Sequence, residues 1–202
     1  MRSVSVSGER LERWIDGFEL RHGGSARVTD GALELVGADG ASATVHPLFA
    51  FVGDDLDSFV RHVQSPPRSA VLLVRRGGFA AAVVDSGAVE ASATGRRHVQ
   101  GRTAAGGWSQ QRFARRRVKQ TDELVDAAVQ RAADTILTAA PAACLVTGGD
   151  RALVQQALGD ARLRALAALP RGPHLAVPDP RRDVVAELPT MLTAVRVDLV
   201  DP

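Results

Sequence analysis

Tyrosine is absent from this 202-residue chain, aromatics make up only 4% of it, and Lys119 is its one lysine. The core must therefore be built mainly from Val, Leu and Ala, and the remaining cations are arginines. A biased base composition gives the same preference, so arginine in place of lysine is not by itself a functional signal. Cys144 is the one cysteine. It excludes an intrachain disulfide framework and fits a reducing compartment, and within AACLV it reads as a small buried hydrophobe. No stretch approaches the roughly 18 apolar residues of a spanning helix, and MRSVSVSGER lacks the apolar run of a secretory leader. A soluble, cytoplasmic protein without membrane contact is expected. His22, His46, His62, His98 and His174 are scattered, with no C-x-x-C or H-E-x-x-H spacing, so neither a metal nor a cofactor is expected.

The most informative absence is of acid. Between Glu90 and Asp122 there is no Asp or Glu. Arg96, Arg97, Arg102, Arg112, Arg115, Arg116, Arg117 and Lys119 place eight positive charges in that window. The whole chain carries only +2, which leaves −6 for everything outside the window. Positive charge gathered in one segment points to a polyanion met there.

What is present, at 45% hydrophobic and 24% charged, suits an ordinary globular protein. Ser7–Leu20 reads as a helix, with Leu11, Trp14, Ile15 and Phe18 on one face. Three short strands follow, around 26–29, 32–36 and 41–45, punctuated by Asp30-Gly31 and Asp39-Gly40. Asp54–Val63 reads as a second helix. A meander over 69–75, 79–84 and 89–94 leads to the basic segment. A long helix from Trp108 to about Ala139 comes next, its first half basic and its second half patterned for packing. Then come a strand at 143–146, helices at 151–158 and 161–169, a strand at 174–177, a helix at 181–188 and a last strand at 194–199. Asp150 reads as the cap of the helix at 151 rather than as an acid catalyst. This order predicts an α/β fold with a mixed sheet and packed helices. One domain over 1–202 is expected, with 1–63 either integral or a small lobe.

The basic segment itself, GRTAAGGWSQQRFARRRVK over 101–119, begins as a glycine-hinged loop and turns into a helix. It is not a P-loop, because the Lys and Ser/Thr that reach phosphate and magnesium are missing. Ser109 lacks the closing Gly of a nucleophile elbow and a His–Asp pair. Taken singly, each part has a plain reading: Gly106-Gly107 a turn, the arginines a solvated helix face, Gln110 a surface residue, Trp108 either a core anchor or a stacking platform. Together they suggest chemistry. Glutamine does not titrate near neutral pH, but it donates and accepts hydrogen bonds and can hold a water against a carbonyl. That suits an already activated substrate such as an aminoacyl ester. Glycine N–H groups can approach an oxyanion or a phosphate, and the arginines can neutralise nucleic-acid phosphates.

GGWSQQRFARRR resembles the segment GGQSxxRFxRxR in the middle domain of eukaryotic and archaeal class I release factors. Gly106, Gly107, Ser109, Arg112, Phe113, Arg115 and Arg117 carry the match, which continues into a long helix. That domain enters the peptidyl transferase centre and hydrolyses peptidyl-tRNA. Trp108 stands where those proteins have their Gln, and the glutamines come later. A displaced Gln after two glycines, with an Arg ahead of the loop, resembles the release-factor-like hydrolases of the Vms/VLRF type, which free nascent chains on stalled large subunits. Arg102 and Gln110 are the matching positions here.

The resemblance implies a peptidyl-tRNA hydrolase with the α/β fold of that middle domain. Gln110, or Gln111 after it, would place the water, Gly106 and Gly107 would support the developing charge, and Arg102 would complete the catalytic group. Arg96, Arg97, Trp108, Arg112, Arg115, Arg116 and Arg117 would hold RNA. Its partners would be the large ribosomal subunit and peptidyl-tRNA, and the protein would act as a monomer. No codon-reading domain is expected. The alternatives are a nuclease of the tRNA acceptor end and a non-catalytic ribosome- or RNA-binding module.

Overall fold

The computed structural model describes the backbone of residues 1–96 and 108–202, and the side chains of 1–96 and 115–202. The chain divides into two compact units. The first comprises Met1–Pro66 with Pro189–Pro202, the second Pro67–Leu188.

The first unit is a five-stranded antiparallel sheet in the order β1 (Arg2–Val6), β10 (Val195–Val200), β4 (Ser42–His46), β3 (Ala32–Val36), β2 (Ser25–Thr29), with two helices from its N-terminal segment and most of a third, at 188–193, from its C-terminal one. β2 (Ser25–Thr29) and β3 (Ala32–Val36) meet at Asp30-Gly31, both at positive φ (51° and 77°). Such a turn matches the natural twist of a hairpin, which is why this dipeptide is a strong strand signal. β4 (Ser42–His46) follows. α1 (Gly8–His22) buries Leu11, Ile15 and Phe18, the stripe expected from the sequence, with Trp14 partly buried beside it. α2 (Leu56–Gln64) starts at Asp55, whose carboxylate accepts a hydrogen bond from the Ser58 N–H at 2.8 Å. Its Phe59, Val60 and Val63 complete the same core.

Two features of this unit differ from expectation. Arg2–Val6 forms a strand, β1. The last strand, β10 (Val195–Val200), does not join the preceding α/β elements but lies between β1 and β4. Val195 and Val197 are 1% and 0% exposed there. The two findings are one: RSVSV gains a buried face only through a partner distant in the chain, in the register Val4↔Val197 and Val6↔Val195.

The second unit contains the mixed sheet, in the order β7-β6-β5-β8-β9. β5 (Ser69–Arg75), β6 (Gly78–Asp85) and β7 (Ala88–Arg96) form the antiparallel meander. β8 (Cys144–Gly149) and β9 (Arg171–Leu175) add in parallel to β5. β5 is buried from Ser69 to Val74, as its unbroken apolar run requires of a central strand. α3 (Trp108–Ile136) and α4 (Arg151–Leu158) cover one face. The α/β class with a mixed sheet is thus observed, alongside a second, purely antiparallel sheet.

The helix expected over 161–169 is a 3-10 turn (Ala161–Leu163) followed by the single turn α5 (Arg164–Ala167). The helix expected over 181–188 is α6 (Arg182–Ala186), and α7 (Leu188–Thr193) follows it as a separate helix. Pro189 sits in the first turn of α7, where its missing N–H costs nothing.

Candidate functional site

The strand registers bring the basic turns of the second unit to one end of its sheet. Arg75 faces Gly78, and Gly78 faces Arg96. Val74 faces Gly149 on the other side, and Gly148 faces Leu175. Arg75, Arg76 and Arg96 therefore share the sheet end from which β7 leaves. Arg151, the first residue of α4, lies at the same end. It was not singled out in the sequence, although it follows Gly148-Gly149-Asp150 at the close of a strand.

Gly149 is at φ +89°, and a Cβ there would stand 2.4 Å from the Val74 carbonyl oxygen. Only glycine fits, and this tight exit sets the start of α4. Asp150 caps that helix by accepting from the N–H groups of Ala152 (2.9 Å) and Leu153 (3.3 Å). Its carboxylate is committed to structure, as expected. A shallow cleft of about 340 Å³ lies here between Arg75, Arg76, Gly77, Gly149, Asp150 and Asp179. Arg75 also donates to the Val177 carbonyl at 2.5 Å.

β7 and β8 both run parallel to β5, so the connecting helix must return against them. α3 starts on the Arg96 side and ends near the start of β8. Leu124 is its first buried residue among those described, followed by Val125, Ala128, Val129, Ala132 and Ile136. From residue 115 to 123 no side chain is buried, and Val118 is 61% exposed. At about 1.5 Å per residue, the helix carries position 110 about 21 Å ahead of Leu124.

Arg115 and Arg116 are exposed and Arg117 is half-buried. Among the described residues none of these three, nor Arg96, has an acidic partner. Elsewhere in the unit arginines can be tightly paired. Arg68 bridges Asp85 (3.0 Å) and Glu90 (2.5 Å), and both contacts push its guanidinium pKa up. Arg115, Arg116 and Arg117 thus keep their positive charge, while Lys119 stands 4.0 Å from Glu123. The first turn of α3 carries no acid, so the positive end of the helix dipole is not offset either.

Farther along α3 the surface changes sign. A cleft of about 680 Å³ between the helix and the edge of the sheet is bordered by Glu123, Asp126 and Asp134, with Arg96 and Arg131.

Arg97, Arg102, Gly106 and Gly107 lie outside the described residues. Trp108, Gln110, Gln111 and Arg112 are placed by backbone in the first turns of α3, and their side chains lie outside the description. Whether Trp108 anchors or stacks is thus untouched.

The described histidines have structural partners. His174 contacts the Thr147 hydroxyl (2.9 Å) and the Gly149 carbonyl (3.2 Å), His62 the Phe49 carbonyl (3.1 Å), His22 the Asp39 carboxylate (2.8 Å) and His46 the Asp198 carboxylate (3.1 Å). Among the described residues no three His, Cys, Asp or Glu side chains are grouped to hold a metal. Cys144 is buried, its sulfur 3.4 Å from the Ser69 hydroxyl. Among the described residues no helix is long and apolar enough to cross a membrane.

The sequence matches the model of the family described as "Actinobacteria/chloroflexi VLRF1 release factor" over residues 67–198, more than half of the chain. The matched region opens on the first residue of the second unit and closes within β10. No curated protein matches the chain.

Proposed function

Because the chain belongs to the Actinobacteria/chloroflexi VLRF1 release factor family, we propose that it hydrolyses peptidyl-tRNA on obstructed large ribosomal subunits, with the segment 101–119 as its working end. A release-factor-like protein acts in translation and associates with ribosomes. The observation that supports the finer reading is the leading half of α3: among the described residues no side chain is buried from 115 to 123, Arg115, Arg116 and Arg117 have no acidic partner, and the GGWSQQRFARRR motif lies at the helix start.

In this reading the arginines meet RNA phosphates and carry the helix start to the tRNA acceptor end. Gln110 holds a water by accepting one of its protons in a hydrogen bond, with the oxygen facing the ester carbonyl. The water oxygen bonds to the carbonyl carbon. Backbone N–H groups near Gly106-Gly107 offset the charge on the carbonyl oxygen. The bond to the terminal ribose oxygen breaks, that oxygen takes up the proton, and peptide acid and intact tRNA separate. No cofactor enters, because the ester is already activated and water only needs placing. Arg102 completes the catalytic group and holds the tRNA acceptor end, Arg97 and Arg112 extend the phosphate contacts, and Trp108 stacks on an unpaired base. The protein works as a monomer in the cytoplasm.

The test is single-turnover peptide release from a stalled large subunit carrying labelled peptidyl-tRNA. Gln110→Ala should slow release on the order of 100-fold, the usual cost of a misplaced reactant, without weakening subunit binding. Full activity in that variant would remove Gln110 from the mechanism and make Gln111 the next choice. Shortened tRNA among the products would identify a nuclease instead. Salt-sensitive binding with no release would identify a non-catalytic module.

A further inference from the structure

β1 is an edge strand: it pairs with β10 on one side, and among the described residues nothing pairs with its other side. An open edge presents alternate N–H and C=O groups to whatever approaches. α1 runs beside it, and a cleft of about 310 Å³ separates the two. Its strand wall is Val4, Ser5 and Val6. Its helix wall is Arg10, Arg13, Trp14, Gly17 and Arg21.

The helix wall is a sorted surface. At 100° per residue, positions 10, 13, 14, 17 and 21 form one stripe, and Glu9, Glu12, Asp16 and Glu19 lie around the far side. Arg10, Arg13 and Arg21 are exposed and, among the described residues, their side chains have no hydrogen-bond or ion-pair partner. Gly17 supplies the floor. A Cβ placed on it would lie 3.4 Å from Arg21 Nη1, so the guanidinium of Arg21 folds back over it toward the other two arginines. A glycine inside a helix sacrifices helix stability, and here it leaves the floor of the cleft without a side chain. Trp14 stacks on Phe18 with ring centroids 6.0 Å apart and gives the cleft an apolar side, with half-buried Val4 opposite.

We propose that the β1–α1 cleft binds an acidic peptide segment in extended form, which joins the first unit's sheet along β1. Strand addition supplies the main-chain hydrogen bonds, three unpaired guanidiniums select carboxylates, and Trp14 and Val4 take an apolar side chain. A single-stranded RNA would use the arginines but has no N–H and C=O ladder to match an open strand edge. The cleft lies wholly in residues 4–21, outside the matched region 67–198, so the proposal does not rest on the ribosomal reading.

The test uses the full chain with Trp108→Phe, which leaves Trp14 as the only tryptophan. A short peptide of alternating Glu and Val should change Trp14 fluorescence saturably and bind about tenfold tighter than its Lys–Val counterpart. Methylating its backbone nitrogens should remove binding. The double change Arg10→Glu with Arg13→Glu should do the same. So should Gly17→Leu, which fills the floor while favouring the helix, and an unchanged melting temperature in either variant shows that the fold is kept. Equal binding of the two peptides, indifference to methylation, or tighter capture of a single-stranded oligouridylate through the same arginines would overturn the proposal.

Discussion

Arg162 ties the turn after α4 to the packed half of α3. Its guanidinium donates to Asp160 (2.8 and 3.0 Å), to Asp126 (2.6 Å) and to Gln130 (3.2 Å). The Asp160 carboxylate also accepts from the Arg162 N–H at 2.9 Å. These hydrogen bonds, the side-chain ones first, hold the Asp160 pKa down to about 2, from an ordinary 3.8. A lowered carboxylate pKa stabilises the fold above the unfolded value, and that contribution is lost as pH falls through the folded one. The Asp160 contribution should therefore be complete above about pH 4 and disappear between there and pH 2. An NMR titration should place the Asp160 midpoint near 2 and move it up toward 3.8 in Arg162→Ala. An unmoved midpoint would mean that the guanidinium is not what holds it down. This link was hidden in the sequence, because Asp126 and Asp160 are distant there and only the fold makes them share one cation.

At the scale of elements, α3 carries two programmes in one helix. From Leu124 onward its apolar residues recur at helical spacing and meet β5, β6 and β7. Before Leu124, residues 115–123 include no buried side chain, and Arg115, Arg116 and Arg117 have no acidic partner among the described residues. That division was legible, since apolar periodicity and an acid-free basic run are both local patterns. The reversal Arg115→Glu with Arg116→Glu should weaken large-subunit binding and flatten its salt dependence by about 1 in the log–log slope per side chain lost. Melting should change little, because neither residue is buried or paired. An unaltered slope would mean that the exposed arginines do not reach phosphate. Turns such as Asp30-Gly31 were equally readable, their backbone preference residing in the dipeptide itself. β1 was not readable: an arginine and two Ser-Val pairs carry almost no signal until a partner gives one face a core.

At the scale of the molecule, the first unit is assembled from both ends of the chain. Removing residues 195–202 would take away a strand paired on both sides, and with it buried Val195 and Val197. Those two side chains alone are worth about 3–6 kcal/mol, comparable to the whole margin of about 5–15 kcal/mol that keeps a domain folded. Hydrogen exchange should show protection lost throughout β1, β3 and β4 in this truncation, and retained protection would contradict the arrangement. No composition shift or linker marks this closure in the sequence, because strand pairing between distant segments leaves no local trace.

The same strand sets an order of events during synthesis. Residues 1–66 leave the ribosome before the second unit, and they wait for β10 until that unit has been translated. In that interval the N-terminal hairpin and helices expose apolar surface with no lasting shelter. Until β10 arrives they are open to chaperones and proteases.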